Sequence, residues 1–237
     1  MPGALAPGAL VALPAAAAHH VTHVLRATVG DHLVVFGDGL EFAGAIARID
    51  KRAVTVKLGA AAAVNREMPL ACVLAQAISS GDRMDLTLQK AVELGIAGVQ
   101  PLYSERSVVR LDAERAAKRV VHWQQVLSSA CEQCGRTMVP QVLHPLPVID
   151  WLGAFATPAT GELRVLLSPH ATQRLALLPR PAAVTLLAGP EGGFTDVETQ
   201  LASERGFVAI CLGPRVLRTE TAALAALASI NTLWGDF

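Results

Sequence analysis

The sequence predicts an α/β protein in which a small antiparallel β-barrel precedes a larger domain built on a parallel sheet. Three observations support this prediction. The 237 residues have room for one large domain or two small ones. Short strands separated by turn residues fill the first third, whereas from residue 70 onward apolar strands alternate with helices. A hydrophobic fraction of 52% with only 17% charged residues excludes a disordered protein.

The first part of the chain combines one helix with short strands. The helix is predicted over Ala15–Arg26, where apolar residues recur at helical spacing. Strands are predicted at His32–Phe36, Glu41–Ile49 and Ala53–Leu58. Gly37-Asp38-Gly39 and Asp50-Lys51 separate these strands, and such residues favour the tight turns of antiparallel hairpins. We therefore assign residues 1–72 to a β-barrel domain and residues 73–237 to a second domain.

In the second domain, strands alternate with helices, which predicts a parallel sheet covered on both faces. Strands are expected at Leu70–Ile78, Gly98–Tyr103, Val139–Leu143, Arg164–Ser168, Ala183–Ala188 and Val208–Cys211. Helices are expected at Asp82–Leu94, Asp112–Cys134, Pro147–Phe155, Thr195–Arg205 and from Arg218 onward. Asp82, Asp112 and Thr195 are the predicted N-caps, with Thr195 and Glu198 forming a capping box. Glycines follow several of the helices, as is common at helix C-termini.

Charge and cysteine content limit the class of protein. Twenty basic and 20 acidic residues give a formal net charge of zero, which argues against a sequence-blind nucleic-acid binder. No stretch approaches the ~20 apolar residues of a membrane span, and the Ala/Pro/Gly-rich N-terminus is a poor signal peptide. We expect a cytoplasmic protein with free thiols and no membrane partner. Cys131 and Cys134 form a lone C-x-x-C at a helix C-terminus, which is poor for redox or zinc chemistry, so no metal is expected.

The strongest local motif is Gly189-Pro190-Glu191-Gly192-Gly193, between a buried strand and a capped helix. Ligands of open α/β sheets bind beyond the carboxyl ends of strands, and glycines let the backbone approach a ligand closely. The motif therefore indicates a ligand-binding loop, with an ordinary tight turn as the alternative. The Lys-bearing phosphate loop and the dinucleotide fingerprint are both absent. Because Glu191 would repel phosphates, we expect a neutral or cationic ligand and disfavour a nucleotide hydrolase.

A second loop has the same arrangement of strand, Gly-Pro turn and helix start. It spans Leu212–Ala222 and contains Arg215 and Arg218, while Thr219 is a candidate cap for the last helix. Two such loops after neighbouring strands are expected to line one site, although surface ion pairing with Glu220 would also explain the arginines. Glu132-Gln133 and Arg136, at the end of the long helix, form a polar cluster that also fits a solvated helix end.

Five segments together resemble one known family. They are Gln89–Gly95, Ser104-Glu105-Arg106, Cys131–Arg136, Gly189–Gly193 and Leu212–Ala222. In order and over about Ala15–Phe237, they resemble the RsmE family of bacterial small-subunit rRNA (uracil-N3) methyltransferases. This resemblance implies a PUA-like β-barrel followed by a SPOUT-type α/β domain with a trefoil knot at roughly residues 164–222. It also implies S-adenosylmethionine as cofactor, a homodimer, and 16S rRNA or the 30S subunit as substrate.

The resemblance and the loop chemistry together suggest a set of site residues. Arg218, with Arg136, is expected to stabilise a uracil anion, and Glu132 or Glu220 is expected to act as base. Expected cofactor contacts are Leu167, Ser168, Gly189, Pro190, Glu191, Gly192, Leu212, Gly213, Leu217, Thr219 and Ala222. Expected RNA contacts are His20, Arg26, Arg83, Arg106 and Arg215. The alternative is an rRNA-binding module of the same fold that has lost catalysis.

Overall fold

The structure, a computed structural model, describes residues 5–50 and 53–237. Its helices and strands belong to two compact units. One compact unit contains the chain up to Arg66 together with Gly135–Val139. The other contains Glu67–Cys134 and Pro140–Phe237. The predicted turn residue Lys51 lies outside the described residues.

The first unit is built on a four-stranded antiparallel sheet, counted over the described residues. Its elements are β1 (Leu10–Ala12), α1 (Ala15–His19), a π-helical turn (His20–Val24), β2 (His32–Gly37), β3 (Leu40–Asp50) and β4 (Ala53–Ala63). The strand order is β1-β4-β3-β2. Phe42, Ile46, Val56 and Leu58 are buried in its core. The antiparallel order of β2, β3 and β4 is what the alternating strands and turns of the sequence predict.

Local chemistry explains the hairpin between β2 and β3. Gly37 pairs with Leu40, so Asp38 and Gly39 form a two-residue loop. Both have positive φ, 52° and 81°, as the turn that matches strand twist requires. The structure also corrects three details of the sequence prediction. β1 was not expected, the helix loses α-helical geometry after His19, and β4 continues to Ala63 because its alanines pair with β3.

The second unit has the predicted succession of strands and helices, with one further short strand, Leu146–Pro147, that was not expected. Its elements are β5 (Ala71–Ala77), α2 (Arg83–Glu93), β6 (Gly98–Tyr103), α3 (Ala113–Cys134), β7 (Gln141–Val142), β8 (Leu146–Pro147), α4 (Val148–Gly153), β9 (Glu162–Leu167), a 3-10 turn (Leu175–Leu177), β10 (Ala183–Ala188), α5 (Asp196–Glu204), β11 (Phe207–Ile210) and α6 (Thr219–Trp234). The strands form one sheet in the order β11-β9-β10-β5-β6-β7, with β8 also pairing with β6. Every one of these pairs is parallel among the described residues.

The predicted helix ends are largely confirmed. Thr195 and Glu198 form a reciprocal capping box at the start of α5, and Asp112 Oδ1 accepts the Arg115 backbone N–H before α3. Asp82 occupies the N-cap position of α2, but its side chain makes no capping hydrogen bond. The prediction that Thr219 caps α6 is wrong, because Thr219 is the first helical residue and Arg218 is the N-cap.

The topology brings several loops to one edge of the parallel sheet. Because parallel strands share a direction, the carboxyl ends of β5, β6, β9, β10 and β11 lie at the same edge. Ala75, Leu102, Leu166 and Leu187 are buried within this layer and join it to the helices. Over the described ranges, no helix has the length and apolar character needed to cross a membrane.

Candidate functional site

A cavity of about 880 Å³ opens at this edge of the sheet, between the loops that follow β9, β10 and β11. All eleven residues predicted to contact a cofactor line it: Leu167, Ser168, Gly189, Pro190, Glu191, Gly192, Leu212, Gly213, Leu217, Thr219 and Ala222. Arg83, Arg106, Arg215, Arg218 and Glu220 line the same cavity. The two Gly-Pro loops, which the sequence predicted to share a site, therefore meet there.

The hydroxyl of Thr219 fastens the two loops together. Thr219 Oγ1 donates to the Gly189 carbonyl at 2.5 Å, and the buried Gln76 at the end of β5 donates its Nε2 to Thr219 Oγ1 at 3.0 Å. Three segments that are distant in sequence are thus linked by one small hydrogen-bond chain. The geometry of the cavity depends on this chain because it fixes the start of α6 against the first loop.

An ion pair holds the first loop from its other side. Glu191 Oε1 lies 2.7 Å from Arg83 Nη1 and also accepts the backbone N–H and the hydroxyl of Ser80. Partial burial would raise the pKa of Glu191, but hydrogen bonds from its own backbone N–H, from Ser80 and from Arg83 lower it overall. Arg83 therefore offsets part of the negative charge that the sequence assigns to this loop.

Neighbouring groups closely approach the backbone at two glycines of the first loop. A Cβ on Gly189 would lie 3.2 Å from the Phe194 ring, and one on Gly192 would lie 3.1 Å from Arg106 Cβ. A side chain at either position would need Phe194 or Arg106 to shift by a few tenths of an ångström. The peptide groups of the loop are thereby left at the cavity wall, where they can face a ligand.

The four arginines of the cavity fall into two classes. Arg83 is paired with Glu191, and Arg106 donates to the carbonyls of Gly192 and Phe194. By contrast, the side chains of Arg215 and Arg218 are exposed and form no hydrogen bond or ion pair with any described residue. Surface ion pairing with Glu220, the alternative explanation from the sequence, is therefore absent from the described part of the chain. The first two arginines support the loops, whereas the last two are available to a negatively charged substrate.

Glu220 is distinguished by an unsatisfied oxygen. Its Oε2 is buried and has no hydrogen-bond partner among the described residues, unlike the carboxylate of Glu191. Buried acceptors are normally satisfied, so an orphan at a cavity wall indicates a donor supplied by a ligand or water. Arg218 and Glu220 stand together at the N-terminus of α6, whose backbone dipole adds partial positive charge.

Four predicted site residues do not line this cavity. Glu132 is exposed near the end of α3. Arg136 is 5% exposed and belongs to the first unit, with Gly135–Val139. His20 and Arg26 are exposed residues of that unit as well. The polar cluster predicted at the end of the long helix is thus divided between two units.

The thiols are free in the structure, and Cys72 and Cys131 are buried. Burial raises the pKa of the Cys72 thiol to about 12. Cys134 Sγ lies 3.9 Å from the Cys131 carbonyl. Within residues 5–50 and 53–237, no group of three or more His, Cys, Asp or Glu side chains is arranged to hold a metal.

Sequence reasoning missed several residues of the site. Phe194, Asp196 and Thr199 also line the cavity, and their position directly after the glycine loop was the available signal. Gln76 and Ser80 belong to no recognisable sequence motif. Their part in the site comes from contacts with residues more than 100 positions away, which a single sequence does not reveal.

Comparison with known proteins gives matches along nearly the whole chain. A family model described as an RNA methyltransferase domain matches residues 66–231, and one described as an RNA methyltransferase PUA domain matches residues 13–59. The ribosomal RNA small subunit methyltransferase E of Buchnera aphidicola from Schizaphis graminum is 33% identical, over 96% of this chain and 92% of its own length.

Solved structures also match this chain over its whole length. A methyltransferase from Legionella pneumophila, in complex with bound S-adenosylmethionine, has a TM-score of 0.93 and 42% identity, covering 100% of this chain and 97% of that one. The ribosomal RNA small subunit methyltransferase E of Neisseria gonorrhoeae, bound to S-adenosylmethionine, has a TM-score of 0.89 and 40% identity with the same coverage. The resemblance predicted from the five sequence segments is confirmed. Because the family model and the relatives extend over most of its length, this chain belongs to the ribosomal RNA small subunit methyltransferase E family.

Proposed function

We propose that the protein methylates N3 of a specific uridine in small-subunit (16S) ribosomal RNA, with S-adenosylmethionine as methyl donor. The observation that carries this proposal is the cavity at the two Gly-Pro loops, in a chain of the ribosomal RNA small subunit methyltransferase E family. Two solved family relatives with about this chain's fold, 42% and 40% identical, bind the same donor. The uridine and its N3 atom are taken from the family resemblance.

The cavity suits this donor in size and in chemistry. Its volume of about 880 Å³ falls in the usual range for small-molecule sites of roughly 300–1,000 Å³. Leu167, Leu212 and Leu217 give apolar wall, and Gly189 and Gly192 expose backbone groups. These residues would hold the adenosine and the methionine parts. When bound, S-adenosylmethionine supplies a methyl group made electrophilic by a sulfonium centre.

The remaining requirement is to make the uracil nitrogen nucleophilic. N3 carries a proton in neutral uracil, and its loss spreads negative charge onto the two ring carbonyl oxygens. Arg218 would lie against that charge, assisted by the N-terminus of α6. Glu220, whose Oε2 lacks a partner among the described residues, would accept the proton. Glu132 is a weaker candidate because it does not line the cavity.

Arg136 is assigned a different role from the one expected. Because it is buried and belongs to the first unit, we propose that it supports that unit and that Arg218 alone stabilises the uracil anion. His20 and Arg26 are exposed on the same unit and are proposed to contact the RNA, as are Arg106 and Arg215 at the cavity. Arg83 is proposed to act through Glu191.

Family resemblance supports three further properties. We propose that residues of roughly 164–222 form a SPOUT-type trefoil knot around the cofactor site, that the protein works as a homodimer, and that it acts in the cytoplasm. Each of these three properties can be tested separately. Analytical ultracentrifugation of the full chain tests the homodimer.

Substitution of Arg218 tests the mechanism. Loss of one pre-aimed donor typically lowers kcat by about 100- to 1,000-fold, and the Arg218 side chain makes no capping hydrogen bond whose loss would disturb α6. We therefore expect Arg218→Ala to lower turnover on small-subunit particles by that factor while calorimetry finds cofactor affinity unchanged within about twofold. Arg119→Ala, which removes an exposed arginine of α3, is the matched control. Retained turnover in Arg218→Ala would remove Arg218 from the mechanism.

A further inference from the structure

A second cavity, of about 520 Å³, lies beside the first at the carboxyl end of β6. Its apolar wall includes Pro147, Val148 and Val197, and its polar groups come from Tyr103, Glu105, Arg110, Thr195 and Glu198. Nothing in the proposed methyl transfer uses this space. Its position at the same sheet edge raises the question of what it would bind.

The two cavities share two walls. In the loop after β6, Glu105 faces the second cavity and its neighbour Arg106 faces the first. Around the start of α5, Val197 lines the second cavity, whereas Asp196 lines the first. A substrate with one group in the first cavity and the next group across either wall would therefore place that second group in the second cavity.

A buried carboxylate keeps these walls together. Glu198 is 3% exposed and accepts the backbone N–H of Glu105 at 2.9 Å, the hydroxyl of Ser104 at 3.1 Å and the backbone N–H of Thr195 at 2.8 Å. It thus ties the loop after β6 to the start of α5. The spacing between the cavities is fixed by this group, as a pair of subsites requires.

The lining suits a planar, neutral ring with hydrogen-bonding edges. Leu111, Pro147 and Val148 supply apolar surface. The Tyr103 hydroxyl is buried and has no partner within the described residues. Burial, together with the negative charge of Asp112, raises the pKa of Tyr103, so its hydroxyl stays protonated and can donate. Sequence-specific RNA recognition commonly places an unstacked base between such apolar and hydrogen-bonding groups.

We propose that the second cavity binds a base of the substrate RNA that neighbours the methylated uridine, so that the enzyme recognises two nucleotides on opposite sides of one wall. This inference rests on the proposed function, because it takes the methylated uridine of the RNA to reach Arg218 and Glu220 in the first cavity, beside the cofactor. It makes Tyr103 and the exposed side of Val197 determinants of RNA recognition. They would have no part in cofactor binding.

A blocking substitution tests the proposal. Val197 is 70% exposed, so Val197→Trp should obstruct the cavity without disturbing the core. Val121→Trp changes a similarly exposed valine, 60% exposed on α3 and outside both cavities, and is the matched control. Loss of the stacking contact of one base typically weakens binding by about five- to 150-fold. We expect Val197→Trp to weaken filter binding of labelled 16S rRNA by at least about fivefold and to leave S-adenosylmethionine affinity unchanged.

The same assay on Tyr103→Phe removes the hydroxyl alone and is expected to weaken RNA binding several-fold. Equal RNA affinity of Val197→Trp and Val121→Trp would overturn the proposal. A change of oligomeric state in Val197→Trp, seen by sedimentation, would also overturn it by showing that a second copy of the chain covers the cavity. Because RNA binding is measured without methyl transfer, failure of the wild-type protein to methylate would refute the proposed function and leave this test standing.

Discussion

The link through Thr219 predicts how strongly one hydroxyl supports the site. Replacing Thr219 by valine keeps the shape of the side chain and removes only the donor to the Gly189 carbonyl and the acceptor for Gln76 Nε2. Thr219 is 8% exposed and Gln76 is fully buried, so water replaces neither contact easily. Gln76 Nε2 keeps one hydrogen bond, to the Ala77 carbonyl.

The size of the effect follows from these contacts. A hydrogen bond contributes about 1 kcal/mol net, and a buried group left without a partner costs about 1–3 kcal/mol. The lost bond from Gln76 contributes about 1 kcal/mol, and the Gly189 carbonyl left without a partner costs about 1–3 kcal/mol, so the free energy of unfolding is expected to fall by about 2–4 kcal/mol. Cofactor affinity should fall in the same variant because the two loops lose their shared anchor.

Urea denaturation, monitored by tryptophan fluorescence, measures this loss for the second unit. The three tryptophans, Trp123, Trp151 and Trp234, all belong to the second unit. Thr219→Ser, which keeps the hydroxyl, is the control and should stay close to wild type. A loss below about 0.5 kcal/mol in Thr219→Val with an unchanged m-value, or an equal loss in the serine variant, would refute the reasoning.

Two further predictions concern ion pairs of the second unit. Glu191→Gln removes the charge that pairs with Arg83, and calorimetry should find S-adenosylmethionine affinity reduced about fivefold, because a partly exposed pair contributes about 1 kcal/mol; unchanged affinity would contradict this. Hydrogen bonding to Arg164 lowers the pKa of Glu162 below its ordinary 4.5. The pair therefore stabilises the fold above that pH and is lost as pH falls through the lower, folded-state pKa. The unfolding free energy of Glu162→Gln should fall less steeply than that of wild type below pH 4.5, and parallel curves would contradict the assignment.

Local patterns predicted much of the second unit because the relevant physics is local there. The capping box of Thr195 and Glu198 is contained in four residues and could be read directly. Strands flanked by helices imply a parallel sheet, and this places the loops after β10 and β11 at one edge. The shared cavity of the two Gly-Pro loops follows from that edge, which is why the predicted cofactor residues meet there.

The features that the sequence did not predict depend on contacts between distant segments. The sequence shows the negative charge of Glu191 but not its ion pair with Arg83, which lies 108 positions away in the chain. Thr219 was expected to cap its own helix and instead bonds to Gly189, 30 positions away. The second cavity is formed where the loop after β6 meets the start of α5 through Glu198. The spacing of residues within one segment does not predict contacts between segments that are distant in the chain.

Labelled methyl transfer is the most direct test of the central claim. The full-length protein would be incubated with methyl-labelled S-adenosylmethionine and small-subunit particles that lack the modification, and the nucleosides of the recovered RNA would be separated. The proposed function predicts label in 16S rRNA as 3-methyluridine, at one nucleoside per particle or fewer. Absence of label from small-subunit RNA, or label in a nucleoside other than 3-methyluridine, would contradict it.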